Sequence, residues 1–327
     1  MVSRSILEQL GHFDIWGDYT PCINNSDSEN TLSDSPLNNA EGVKTCWLNQ
    51  FSALKIYGPD AERFLQGQLT CNVSEITNTN KAAHYGACCT AKGRIVANFN
   101  IRFDGENYWL VLPAHSAEIL EKHLQKYKLF FKATIENCQH THLILGQWKN
   151  TKDSDDCDTR PHQTLIISDD RQILIVEDAI DHDAPFNWVP TLEWQLSNIN
   201  DGIYFVDDEQ HEQWIPQHIN WHKLNGISFS KGCYTGQEIV ARLQYLGKAK
   251  KALYHYSTGN NAAYDAHATT HLFDEQGKKQ GDVLFQRGGE ILTVLNGESP
   301  ESPLYLTDSQ EFPITLQNLP YTDKKED

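Results

Sequence analysis

Apolar and polar side chains alternate through SALKIYG, Ser52 to Gly58, at the period of a half-buried strand. GPDAERFLQGQ follows, with Asp60 placed as an N-cap, and predicts a short helix. From Arg94 to Phe103 the residues Ile95, Ala97, Phe99, Ile101 and Phe103 alternate with mostly polar ones. Asp104-Gly105 then turns the chain into NYWLVL, which predicts a hairpin with one buried face. After Pro113, SAEILEKHLQKY sets Ile119, Leu120 and Leu124 at helical spacing. LFFKATIE and HLILGQW return to strand character, KNTKDSDDCDTRP is an exposed loop, and TLIISDDRQILIV reads as a second hairpin turning at Asp169-Asp170. Residues 191–200 carry Leu192, Leu196 and Ile199 on one helical face, with Trp194 off that stripe, and Asp201-Gly202 stops the run. Beyond Ala249 the pattern is all β: ALYHYS, HLFD, DVLFQ, ILTVL and ITL predict a small C-terminal barrel. Residues 24–42 carry almost no apolar side chains and are expected to be a flexible segment, with order beginning near Trp47. There is no internal repeat.

A chain of 327 residues has room for two or three domains. No apolar run of membrane-spanning length is present and the first residues lack a signal-peptide pattern, so a soluble, unexported, cytoplasmic protein is expected. The formal charge of −17 opposes direct nucleic-acid binding, which needs a basic surface. Local basic clusters lie at Lys122 to Lys132 and at Lys248, Lys250 and Lys251, where a small anion could be held. The eight cysteines form no CxxC pair, which points to reduced thiols and to no permanent zinc or iron-sulfur ligation.

The most informative stretch runs from Ile215 to Leu253. Thr235-Gly236-Gln237-Glu238 has the form of a capping box ahead of Ile239, Val240 and Leu243, so a helix is expected from Thr235. Cys233 then lies just outside a helix N-terminus with Lys231 two residues away, a setting that favours a thiolate. The bland alternative is one more small buried side chain. His218 and His222 share a helical spacing, but no Glu follows His218 as in HExxH and no metal site is assigned. Cys88 and Cys89 are read as packing residues, Cys89 being a minor redox candidate. Arg242 and Lys250 are candidates for the mouth near Cys233.

KGCYTGQE, comprising Lys231, Gly232, Cys233, Tyr234, Thr235, Gly236, Gln237 and Glu238, resembles the signature of the YgfZ family of relatives of the glycine-cleavage T-protein. The flanks IPQ, NGISF and VAR resemble it too, as do FLQGQLT at 64–70, AKGRIVANF at 91–99 and LPY at 319–321. The resemblance implies an α+β, multi-domain protein: a T-protein-like ring of α/β domains around a central folate site, with a C-terminal β-barrel. In these terms residues 1–45 are a flexible extension, 46–248 a folate-binding region of two interleaved α+β domains, and 249–327 the barrel. It implies an accessory role in assembling or maintaining iron-sulfur enzymes, including tRNA-modifying ones, through Cys233. Tetrahydrofolate or a derivative is the implied cofactor. The implied partners are iron-sulfur enzymes or cluster-assembly proteins, with no direct nucleic acid and no membrane.

Trp194 resembles a tryptophan that the family uses against folate, and Phe51 stands at a second such position. GRIVAN, Gly93 to Asn98, is similar to the GGxxDD-like stretch of T-proteins, but Ala97 and Asn98 replace its carboxylates. An amide at Asn98 can hydrogen-bond a pterin and cannot serve as a general base. Where the family has arginines in an RGxxKR pattern this chain has Leu246 and Lys251. The alternative function is a folate- or thiol-dependent one-carbon (aminomethyl) transferase, and a ligand-free interaction protein is a third reading.

Overall fold

The structure, a computed structural model, describes residues 43–79, 81–148, 162–177, 186–207, 210–245, 247, 249–259, 270–297, 302–307 and 313–321. The expected flexible segment, the loop at 149–161, Leu246 and Lys248 lie outside the described residues.

The first sheet is built from β1 (Val43–Trp47), β7 (His142–Trp148), β8 (His162–Ile166), β9 (Arg171–Glu177) and β10 (Phe186–Trp188), in the order β10-β1-β7-β9-β8. β1 begins ahead of Trp47, inside the extension expected to be flexible to residue 45, because Val43–Trp47 is claimed by pairing, antiparallel to β7 and parallel to β10. The second sheet contains β2 (Phe51–Tyr57), β3 (His84–Cys89), β4 (Ile95–Phe103), β5 (Asn107–Pro113) and β6 (Thr134–Asn137), in the order β3-β4-β5-β2-β6. Its expected hairpin, β4 into β5, turns at Asp104, whose carboxylate accepts from the backbone of Glu106 and Asn107 and from the Trp109 indole. Helix α1 (Ala61–Gln66) and helix α2 (Ala114–Gln125) cover this sheet with Phe64, Leu65, Ala117, Leu120 and Leu124. The all-β pattern beyond Ala249 closes into a barrel of six strands: β11 (Lys251–Ser257), β12 (His271–Phe273), β13 (Lys279–Arg287), β14 (Glu290–Asn296), β15 (Leu304–Tyr305) and β16 (Pro313–Gln317).

Three local expectations are corrected. Asp60 makes no side-chain cap; its carboxylate accepts from the Lys132 backbone and from Arg63 instead. LFF is not strand: Lys128–Phe130 form a 3-10 turn, because the Phe131 ring turns inward onto Phe64 and β6 starts only at Thr134. In helix α3 (Thr191–Asn200), Trp194 is buried while Leu192 is 42% exposed, the reverse of the single stripe. The helix is buried on two sides: Trp194 packs into the core of the first sheet, while Leu196 and Ile199 join a core shared with the barrel residues Leu253, Leu284 and Leu292.

What admits the indole is a missing side chain. A Cβ on Gly146 of β7 would lie 2.6 Å from Trp194 Cε3. Gly146→Ala is therefore expected to overpack this contact and cost about 1–3 kcal/mol, read as a lower denaturant midpoint with an unchanged slope. An unshifted midpoint would mean that Trp194 is not clamped there.

Candidate functional site

Three of the resembling segments, far apart in the chain, meet around Cys233. Thr70, at the end of FLQGQLT, is buried; its hydroxyl donates to the Gly226 carbonyl at 2.6 Å and accepts from the Ala87 amide at 2.9 Å. Its own carbonyl accepts from Ser228, and the Gly67 carbonyl accepts from the Thr235 amide. The AKGR turn closes the other side. Gly236 has φ +86°, and a Cβ there would stand 2.5 Å from the Thr90 carbonyl oxygen and 3.2 Å from Gly93 Cα, so only glycine meets both the conformation and the space. Behind the loop, Gln217 of the IPQ flank donates to the Val240 carbonyl at 2.7 Å.

The two residues that flank the Gly232-Cys233 pair are buried and the pair itself is exposed. Lys231 points inward. Its ammonium donates to the carbonyls of Leu69 at 2.8 Å and Cys71 at 2.7 Å, and lies 5.3 Å from the Tyr234 ring centre. The expectation that Lys231 supports a thiolate at Cys233 is thereby corrected: its charge is spent on two carbonyls and on the surroundings of Cys71, not on its neighbour in sequence. Burial lowers the Lys231 pKa to about 8, opposed by the nearby Cys71 thiol.

The capping box is also corrected. Helix α4 (Gln237–Tyr245) starts two residues late, with Glu238 exposed in its first turn, because Gly236 takes a left-handed conformation and Thr235 is used elsewhere. The Thr235 hydroxyl reaches 3.4 Å to Gln68 Oε1 across the junction. Tertiary contacts have overridden a local signal.

The other candidate thiols are different in kind. Cys46, Cys71, Cys88, Cys89 and Cys138 are all buried. Burial pushes Cys71 and Cys138 up to about 11, Cys46 and Cys88 up to about 12, and Cys89 well above the ordinary thiol range. Cys89 is thus a packing residue. No group of three or more metal-ligating side chains occurs among the described residues. His218 packs edge-on to Trp214, and burial, with Lys251 and Arg94 near, lowers its pKa to about 4.

A cavity of about 460 Å³ opens where the second sheet, α3 and the barrel meet. Phe51 and Pro113 come from paired ends of β2 and β5, Gln195, Asn198 and Ile199 from α3, and Leu284 and Phe285 from β13; the segment Ile203–Phe205, Asp207, Gln50 and Gln210 complete the wall. Phe51 and Phe205 stand edge to face, ring centres 5.3 Å apart at 89°. Apolar rings with a carboxylate and several amides suit a flat heteroaromatic ring bearing N–H donors. No described lining residue is cationic.

Of the three cofactor-contact candidates, Phe51 alone lines the cavity. Trp194 is turned away, against Gly146, with Trp148 edge-on at 5.3 Å and the Arg171 guanidinium 5.0 Å from its ring. Asn98 is buried and engaged at both ends of its amide: the nitrogen donates to the Tyr204 carbonyl and the oxygen accepts from the Val206 amide, both at 2.7 Å. It holds the cavity wall rather than facing into it. The residues missed from the sequence are Tyr204, Phe205 and Asp207; their signal was IYFVD, two aromatics and an acid just after the Asp201-Gly202 stop.

No family model matches the chain. It is 29% identical over 300 residues to the tRNA-modifying protein YgfZ of Colwellia psychrerythraea, covering 84% of this chain and 92% of that one. It is 31% identical over 220 residues to the tRNA-modifying protein YgfZ of Vibrio atlanticus, covering 63% and 67%. Among solved structures, the glycine cleavage system aminomethyltransferase T from Bartonella henselae superposes with a TM-score of 0.65 over 87% of each chain, at 11% identity. The fold is therefore that of aminomethyltransferase T.

The buried ammonium leaves a thermodynamic trace. Lys231 titrates near 8 in the folded chain against 10.5 when unfolded, so between these values the unfolded state holds more protons and stability rises with pH. Relative to Lys231→Met, the parent is expected to gain stability across that window and to run parallel to it below pH 8. Urea titrations of both proteins that stay parallel throughout would show that Lys231 keeps its proton.

Proposed function

The chain belongs to the YgfZ family, and from this we propose that it is a folate-binding accessory factor in tRNA modification that serves iron-sulfur enzymes through Cys233. The observation that carries the reading is the exposure of Gly232-Cys233 between two buried anchors, Lys231 and Tyr234. A thiol presented this way meets another protein without the loop having to order first. The tRNA part is supported by the names of the relatives. At a formal charge of −17 the chain is poorly suited to hold RNA itself, so its action falls on the modifying enzymes.

The folate part is supported by the cavity and by the fold. Phe51 and Phe205 would supply ring faces, and the Asp207 carboxylate would accept from the amino and ring N–H groups of a pterin. With no cation among the described lining residues, the glutamate tail would lie toward the mouth. A reduced folate supplies nitrogens that carry one-carbon units. Aminomethyl transfer is not favoured, because the position of the missing carboxylate is taken by Asn98, whose amide is committed to the wall. The residues of this chain bind and orient the ring.

Two results check this. Phe51→Ala is expected to weaken tetrahydrofolate binding by tenfold or more, by equilibrium dialysis, while Trp194→Phe binds nearly as the parent; the opposite ranking would place the ligand elsewhere. Cys233→Ser is expected to keep melting temperature and folate affinity, yet to fail in restoring iron-sulfur enzyme activity and tRNA modification to cells lacking the protein. Full rescue would make the thiol dispensable, and an unfolded variant would make it structural.

A further inference from the structure

Six large hydrophobic side chains are exposed among the described residues, and three of them fall within four consecutive positions: Tyr127 at 40%, Leu129 at 81% and Phe130 at 85%. This is the 3-10 turn after α2, and it is held, not frayed. Leu124 before it is buried, the Phe131 amide donates to the Lys128 carbonyl at 2.8 Å, and the Phe131 ring packs on Phe64 at 5.3 Å. The Lys132 amide donates to Asp60 at 2.8 Å, while Arg63 answers the charge of that carboxylate. With both ends pinned, Leu129 and Phe130 project outward by construction. Contiguous exposed apolar side chains of this size mark an interaction site.

The charge around them departs from that of the chain. Between Gln125 and Ala133 stand three lysines and no acid, in a protein of formal charge −17. We propose that Leu129 and Phe130, with Tyr127, Lys126, Lys128 and Lys132 around them, form a docking surface for a partner protein whose matching face is an apolar pocket bordered by carboxylates. An apolar centre within a charged rim is the anatomy of a protein interface. RNA is the poorer occupant: Phe130 and Tyr127 offer ring faces, but the three lysines are set against a repulsive overall field that a phosphate backbone would meet along its length. A bilayer with an anionic surface meets the same field. The inference rests on the reading of the chain as an accessory to other enzymes, and the fold supplies the link. Helix α1 carries Arg63 and Phe64 under the tip, and the segment directly after it, Gly67 to Leu69, holds the Cys233 loop.

The test uses the full chain in cells lacking the native protein, with photoreactive benzoylphenylalanine at position 130 or, as a control, at the exposed barrel position 316. The expected result is a nuclease-resistant protein adduct from position 130 and none from 316, mapping to a peptide with Asp or Glu at its edges. Lys126→Glu with Lys128→Glu should reduce that adduct at least tenfold, and Cys233→Ser should leave it unchanged. Leu129→Ser with Phe130→Ser should lower rescue of tRNA modification without moving the melting temperature. Full rescue by that double variant, an adduct indifferent to charge reversal, or an adduct that is RNA, lipid or a second copy of this chain would each overturn the proposal. Rescue by Cys233→Ser with the adduct intact would instead remove the thiol reading and leave the docking surface standing.

Discussion

Asn98 sits in the middle of β4, inaccessible to water, and hydrogen-bonds the backbone on both sides of Phe205. Phe205 is thereby fixed against Phe51, and the cavity acquires its aromatic wall. The same strand is tied at its start to the segment ahead of the KGCYTGQE loop: Ile95 exchanges backbone hydrogen bonds with Trp214 and Glu212. An ionised Asp at 98 would put an acceptor against the Tyr204 carbonyl and bury an unpaired charge, each unfavourable by more than the gain from any ordinary hydrogen bond. The amide supplies both a donor and an acceptor to the wall without titrating, which an ionised carboxylate at this position does not.

The loop around Cys233 obeys the same logic of long-range constraint. Lys231, Thr235 and Gly226 are each positioned by residues 67–71, about 160 positions earlier in the chain. A lysine whose ammonium is enclosed by two carbonyls is costly to bury and costly to lose, since removing it strands both acceptors. The approach of Gly236 to the Thr90 carbonyl brings two backbones closer than a Cβ allows. The outcome is a rigid mount on which one small, exposed stretch of backbone carries the thiol.

These relations explain what could be read from the sequence. Period-two alternation identified β2, the β4–β5 hairpin, β8, β9 and five of the six barrel strands. The hairpin was expected to have one buried face, but β4 and β5 are buried on both, because each side of their sheet meets a different core. FLQGQLT, AKGRIVANF and KGCYTGQE were visible as separate segments, but their convergence was not, since nothing local in Thr70 announces Gly226. Lys231 was misjudged for the same reason: adjacency in sequence suggested Cys233, whereas the side chain goes the other way. Trp194 was judged off the stripe because a helix buried on two sides has no single stripe, and the space that admits its ring is a glycine on another strand. The capping box failed where Gly236 was claimed by Thr90.

Burial also decides which thiol is available. Among the described cysteines, five are enclosed, and desolvation raises the pKa of each away from the thiolate form on which nucleophilic and metal-binding chemistry depends. Cys233 is the exposed one. Among the described cysteines, accessibility alone therefore sets this thiol apart, and the residues that enclose the other five are the same ones that build the cores of both sheets. A substitution that loosened the second sheet around Cys71 or Cys88 would blur the distinction without touching the motif, so the chemistry of the loop is tied to the packing of the domain that carries it.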